Sequence, residues 1–167
     1  MELLTTFEGR ISRKTFWFGL LLIVILSVVV SFAAFSIIIS GGFVGRLLSL
    51  ILSLVLLYPM AAITIKRLHD RDKAAMPWVA IFFVPGIIFN ILSLFNIGFT
   101  TMEIVGNQIQ IPGTGAYIMM LIMTAVGLWM LIELGMLRGS DGVNKYGANP
   151  LAPSSPPSVP NDPTTGQ

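Results

Sequence analysis

Between Phe16 and Ile39 the chain reads FWFGLLLIVILSVVVSFAAFSIII, without one charged residue. A bilayer hydrocarbon core about 30 Å thick is crossed by about 20 apolar residues in a helix, each rising about 1.5 Å. The run is long enough to do so. A second charge-free stretch, LLSLILSLVLLYPMAAITI, covers Leu47–Ile65; a third runs from Ala74 to Met102 and a fourth from Ile104 to Ile132. The last two exceed one span, so each must include a loop. Pro77 suits the first turn of a helix, where its missing N–H would be unpaired anyway, which places the third helix near 77–97. Pro112, Gly113 and Gly115 punctuate the fourth stretch, so its helix is predicted from Thr114 to about Leu137. Spans are therefore expected near 16–39, 47–65, 77–97 and 114–137. The first run exceeds the apolar region of a signal peptide, about 7–15 residues, and no A-x-A cleavage site closes it. It reads as a retained anchor.

Composition points the same way. The chain is 54% hydrophobic and 11% charged, with a mean hydropathy of +0.84, whereas a soluble domain carries about 25% charged residues to cover its surface. A secreted disulfide scaffold, a disordered chain and most cytosolic enzymes are excluded. With no cysteine there is no disulfide framework, thiolate nucleophile or Cys-ligated metal. The pI near 9.2 rests on a formal charge of +2 and reads as a topology signal; no nucleic-acid partner is expected.

Positively charged loops are retained in the cytoplasm. Arg10, Arg13 and Lys14 precede span one, Lys66, Arg67, Arg71 and Lys73 lie between spans two and three, and Arg138 and Lys145 follow span four. Arg46 alone falls on the other side. The expected architecture is an all-α integral membrane protein, a four-transmembrane-helix bundle with both termini, Met1 and Gln167, in the cytoplasm and Asn107 outside. Gly41 to Arg46 makes a short turn between antiparallel neighbours. In the 98–113 loop, Gly106-Asn107 beside the alternating Gln108-Ile109-Gln110-Ile111 suggests a short extracytoplasmic β-hairpin near 100–111 with a primed turn, or an irregular interfacial loop. Residues 1–150 form the membrane domain with its cap. From 151 the chain becomes LAPSSPPSVPNDPTTGQ. Five prolines in a polar stretch predict a disordered cytoplasmic tail over 151–167.

With the spans placed, three polar clusters fall on one face: Glu8–Lys14, Lys66–Lys73 and Arg138–Pro150. The motifs GRISRKTFW, RLHDRDK followed by Trp78, and ELGMLRGSDGVNKYGANPL occur in that order. On these motifs the chain, over roughly residues 7–151, resembles the small bacterial inner-membrane proteins of domain-of-unknown-function family 805. The matches are Gly9, Arg10, Ser12, Arg13, Phe16 and Trp17 in the first motif, and Arg67, Leu68, His69, Asp70 and Trp78 in the second. In the third they are Gly139, Gly142, Asn144, Tyr146, Gly147 and Pro150. Family members more usually carry Gly-Trp-Trp where this chain has Ala75-Met76-Pro77-Trp78. The resemblance implies a multi-span protein of the bacterial inner membrane and brings no reaction with it.

The residues themselves leave several readings open. His69-Asp70 invites acid–base or metal chemistry, but adjacent helical residues point about 100° apart. No second histidine or cysteine completes a ligand set, so neither a metal nor a cofactor is expected. The plainer reading pairs Asp70 with Lys66 or Arg67 along a continuing helix. Glu133 is the one ionisable residue deep in a predicted span, which makes it a functional candidate; it is expected to pair with Arg10, Arg67 or Arg138. Gly139, Gly142 and Gly147, with Asn144 and Asn149, form a turn-rich segment whose amides could cradle an anion or that could dock as a lid. The candidate ligand or partner cap comprises Arg10, Arg13, Arg67, His69, Asp70, Glu133, Asn144 and Tyr146.

Three function classes follow. The leading one is a non-enzymatic membrane module whose cap contacts anionic lipid headgroups or a protein partner, alone or as a homo-oligomer. The second is a small oligomeric transporter or channel using Glu133, with the polar Asn90 and Asn96. The third is a membrane enzyme acting on a lipid or phosphate substrate through His69 and Asp70.

Overall fold

The computed structural model describes residues 3–40, 42–104 and 107–152; for 35–40, 104 and 107–110 it describes the backbone alone. The expected tail from Pro153 onward, the turn residue Gly106 and both chain ends lie outside the described residues. The fold is mostly helical. α1 covers Arg13–Ser40, α2 Gly42–Asp70, α3 Trp78–Leu94 and α4 Thr114–Met130, and α4 runs on into a π-helical segment, Leu131–Met136. Arg13–Ala34 of α1, all of α2, and α4 with its π-helical end are long and apolar enough to cross a membrane. The shorter apolar α3 has 17 residues, or about 26 Å of helix.

The two shorter helix-to-loop transitions share one device. After α3, Ile97 N donates to Leu92 O (2.8 Å) and Asn96 N to Ser93 O (3.1 Å), with Asn96 at φ 61°. After α2, Lys73 N donates to Leu68 O (2.9 Å) and Asp72 N to His69 O (3.0 Å), with Asp72 at φ 56°. Both are Schellman ends, which satisfy two last-turn carbonyls and reverse the chain sharply. Asn and Asp take the left-handed position that other L-residues avoid. Beyond α3, β1 (Phe99–Ile104) pairs antiparallel with β2 (Asn107–Pro112), in register from Phe99↔Pro112 to Ile104↔Asn107. The alternating Gln-Ile run is therefore a strand of a hairpin and not an irregular loop.

α1 packs on α2, α2 on α3 and α3 on α4, and the ring closes where the π-helical segment meets α1 and α2. The core is not spread along the helices. Phe16, Ile23, Ile63, Leu68, Phe82, Met130 and Leu134 form one buried cluster, contributed by the start of α1, the end of α2, the start of α3 and the end of α4. This is the end that carries the basic residues. Leu3 and Leu4 pack against the same cluster. Their segment is pinned to α2, where Lys66 Nζ donates to Leu3 O (3.3 Å) and Tyr58 OH to Thr5 O (2.9 Å). Elsewhere Phe18, Val28, Phe32, Val55 and Leu121 stay exposed. So much apolar surface is costly in water and costs nothing in a bilayer.

Candidate functional site at the basic end

The last two turns of α2 form a largely enclosed post: Ile63, Thr64, Lys66, Arg67, Leu68 and Asp70 are buried. Three segments distant in the chain converge on it. They are the approach to α1 around Arg10, the π-helical end of the fourth helix, and the turn-rich segment 138–149.

A helix C-terminus leaves four carbonyls without intrahelical donors, and near the apolar core of a bilayer each bare carbonyl is expensive. Here five consecutive carbonyls receive side-chain donors. Glu133 O accepts from Arg71 Nη1 (2.9 Å) and Leu134 O from Arg67 Nε (2.6 Å). Gly135 O accepts from Trp17 Nε1 and Met136 O from Arg13 Nη1, both at 3.2 Å. Arg67 Nη2 completes the set on Leu137 O. Three guanidinium groups thus face the negative end of the helix dipole, which favours cations there. Gly135 lets Trp17 approach: a Cβ at this position would lie 2.7 Å from the indole.

Below this cap Asp70 is the hub. Its carboxylate pairs with Arg67, three residues earlier on the same helix, and with Arg10 Nε at 3.1 Å. Arg10 spends its remaining donors on backbone oxygens. Nη1 reaches Gly142 O (2.8 Å) and Gly147 O (3.2 Å), and Nη2 reaches Ser140 O (2.7 Å) and Asp70 O (3.5 Å). All five guanidinium positions are used. Ser140 adds its backbone N–H (2.7 Å) and its hydroxyl (3.0 Å) to Asp70 O. Gly139 sits so close to the Asp70 carboxylate that no side chain could be accommodated.

The turn-rich segment docks through Asn144 and Tyr146. Asn144 Nδ2 donates to His69 O and to Ser140 Oγ, each at 2.9 Å, and Asn144 Oδ1 accepts from Tyr146 N (2.9 Å). The Tyr146 ring stacks on His69, centroids 3.7 Å apart and 7° from parallel. His69 Nδ1 donates to Gly9 O at 3.3 Å. Gly142 (φ 73°) and Gly147 (φ 131°) supply the left-handed positions that this fold-back requires.

Glu133 corrects an expectation. Its carboxylate does not pair with Arg10, Arg67 or Arg138 but with Arg71 and Lys73. Arg10 and Arg67 are consumed by Asp70 and by carbonyls, and Arg138 sits beside Asp141 at 3.6 Å. The Schellman turn at Asp72 instead carries residue 73 back toward the fourth helix, and Arg71, just past the end of α2, reaches it from the other side of the turn. Lys73 Nζ also lies 4.1 Å above the Trp78 ring, a cation–π contact beside the ion pair.

Of the sequence candidates, Arg10, Arg67 and Asp70 meet directly, His69, Asn144 and Tyr146 pack beside them, and Arg13 caps Met136. Glu133 stands apart with partners of its own. Sequence reasoning missed Arg71, Lys73, Trp17 and Ser140 as contact residues. No spacing rule marks them, since each acts through a tertiary turn. Two cavities accompany the site. One of about 340 Å³ lies among Ser12, Arg13, Arg67, Asp70, Arg138 and Ser140. The other, about 240 Å³, lies between α2, α3 and α4 and includes Asn90 but not Glu133.

Apolar helices joined at one end by a charged, hydrogen-bonded cap define a small helical membrane protein. The chain belongs to the family described as "Protein of unknown function (DUF805)", whose model matches residues 4–148. It is 31% identical over 148 residues to "Uncharacterized protein YiiR" of Escherichia coli K12, covering 86% of this chain and 85% of that one. It is also 33% identical over 89 residues to "Inner membrane protein YhaI" of the same organism, covering 53% of this chain and 71% of that one. No solved structure matches.

Proposed function

We propose that the protein is a non-enzymatic, four-span module of the inner membrane, with both termini and the basic cap in the cytoplasm, and that the cap engages anionic lipid headgroups. Nine of its ten Lys and Arg residues lie at the cap end, the asymmetry that orients membrane proteins. The name of the relative YhaI supports the same membrane. The observation that carries the lipid reading is a division of labour among the cations. The side chains of Arg10 and Arg67 are buried in the cap, whereas Arg13, Lys14, Arg138 and Lys145 are exposed around it. Among the described residues, the rim acids Asp141 and Asp72 form only solvent-exposed pairs, with Arg138 and Lys145, at 3.6 and 3.9 Å. Such pairs contribute about 0–1 kcal/mol, so the cations are available to an anionic leaflet, which rewards each with about 1 kcal/mol.

Transport through Glu133 has less support, because that carboxylate is held by two cations and borders neither cavity. Catalysis through His69 and Asp70 has less still: Asp70 is clamped between arginines, and His69 is stacked under Tyr146. Spin-labelled lipids in reconstituted bilayers test the lipid reading. Phosphatidylglycerol should associate with the protein in preference to phosphatidylcholine, and added salt should shrink the difference. Equal association at low salt would overturn the reading.

A further inference from the structure

We infer that the cavity of about 340 Å³ at the cap is a binding site for one phosphodiester group, that of a single tightly held anionic lipid. The inference rests on the lipid reading above and goes further, replacing a diffuse basic rim with a defined site.

The cavity lies in the seam between the start of α1 and the chain leaving the π-helical segment. Its size falls at the small end of ligand pockets, which run from about 300 to 1,000 Å³. Its floor is Arg67 with Asp70, and Arg10 stands behind them on the same carboxylate. Two buried guanidinium groups against one carboxylate leave the floor positive. The walls bring Arg13 and Arg138. Arg13 spends one N–H on Met136 O and keeps others for a ligand. Among the described residues Arg138 is held only by its loose, solvent-exposed pair with Asp141, a contact weak enough to exchange for a phosphate oxygen. Ser12 lies beside them in the lining, while the Ser140 hydroxyl stays committed to Asp70 O. Paired guanidinium groups suit phosphate because each offers two parallel N–H donors to two oxygens.

Two features select the kind of phosphate. Arg13 is the first residue of α1, and Arg138 follows the π-helical segment by two residues, so both stand where apolar helix gives way to polar chain. A phosphate between them sits at headgroup depth, and its glycerol and acyl chains can continue along the apolar outside of the bundle. Asp141 at the mouth opposes a second negative charge. A singly charged phosphodiester is therefore favoured over inorganic phosphate or a phosphomonoester, which carry more charge near neutral pH.

The test uses the full chain released from nanodiscs of mixed phosphatidylcholine and phosphatidylglycerol, with retained lipid counted by native mass spectrometry. One phosphatidylglycerol should remain per chain. R138Q and R13Q should each weaken its retention about tenfold, the loss of one charge-assisted phosphate contact. D141N should strengthen retention severalfold, because it removes the competing carboxylate. Soluble glycerol phosphate and inorganic phosphate should not displace the lipid. Should R13Q fail to fold, R138Q and D141N still decide the matter, since their side chains are 81% and 83% exposed. Displacement by inorganic phosphate would overturn the lipid assignment. Anionic enrichment around the protein without a singly retained lipid, or retention indifferent to R138Q and D141N, would overturn the site while leaving the broader lipid reading intact. Absence of any anionic preference would remove both.

Discussion

Arg10 joins three stretches of chain with one side chain, its own, the end of α2 and the 138–149 segment, and Gly139 is what lets the last of them close. The Asp70 carboxylate occupies the space where a Cβ on residue 139 would stand, so even Gly139→Ala must push Asp70 off Arg10 and Arg67. Breaking a buried, hydrogen-bonded ion pair leaves uncompensated charge, and the variant should lose up to about 3–5 kcal/mol of stability, the range for a broken buried pair. A thermal-shift measurement in detergent checks this. Gly127→Ala provides the contrast, since nothing lies within 4 Å of a Cβ there. It should be neutral or stabilising by up to about 1 kcal/mol, because alanine is the better helix former. A Gly139→Ala variant as stable as wild type would rule out the close approach. Much at this scale was legible in the sequence: in a chain so poor in charge, the residues around Arg10, Arg67 and Asp70 stand out, and so do the glycines near residue 140. The choice of partners was less so. Glu133 has nearly the same sequence separation from Arg67 as from Arg71, and the choice rests on Arg67 being spent on Asp70 and two carbonyls.

Among the elements, the π-helical segment and the Schellman end of α2 make the site. The wider π-helical turn breaks the regular i→i−4 bonding and turns carbonyls toward donors on neighbouring helices, and π-helical turns are often found at functional sites. Apolar run length and proline or glycine punctuation revealed the helices, and period-two alternation revealed β2. Nothing in LIELGM announces a π-helix, because its backbone is set by the arginines and the tryptophan that meet it from elsewhere. The α2 turn likewise depends on Asp72 adopting a conformation more usual for glycine. Together these elements predict a coupling between Glu133 and Arg71. Glu133→Gln and Arg71→Gln should each lower thermal stability, and the double variant should lose less than their sum by about 0.5–3 kcal/mol, the range for residues in direct contact. Glu133→Gln combined with Arg67→Gln should come much closer to additivity, since Arg67 serves Asp70 and the carbonyls of Leu134 and Leu137. Coupling to Arg67 with additivity at Arg71 would reverse this assignment.

Across the whole molecule, burial and charge gather at the same end, and each requires the other. Buried arginines need a scaffold that fixes their partners, and the cluster of Phe16, Ile63, Leu68 and Leu134 supplies it. Toward the hairpin the helices expose most of their large apolar side chains, which need lipid rather than neighbours. The membrane class was legible because it depends only on long charge-free runs. The docking of 138–149 was legible in Tyr146 and the glycines around it; the hydrogen bonds that carry it were not, because most run to backbone carbonyls that any sequence possesses. The sidedness proposed above rests on the charge asymmetry alone, and it makes the last prediction. The chain has no cysteine, so a single introduced cysteine is a unique label. Val143 is 80% exposed at the basic end, and Thr101 is exposed on β1 at the other. In whole cells with a permeabilised outer membrane, an impermeant thiol reagent should label Thr101→Cys and spare Val143→Cys until the inner membrane is opened. The reverse pattern would invert the protein in its membrane and move the basic cap away from the cytoplasm. Labelling of both positions in intact cells would put the cap and the hairpin on one side, and a four-span path between them would no longer stand.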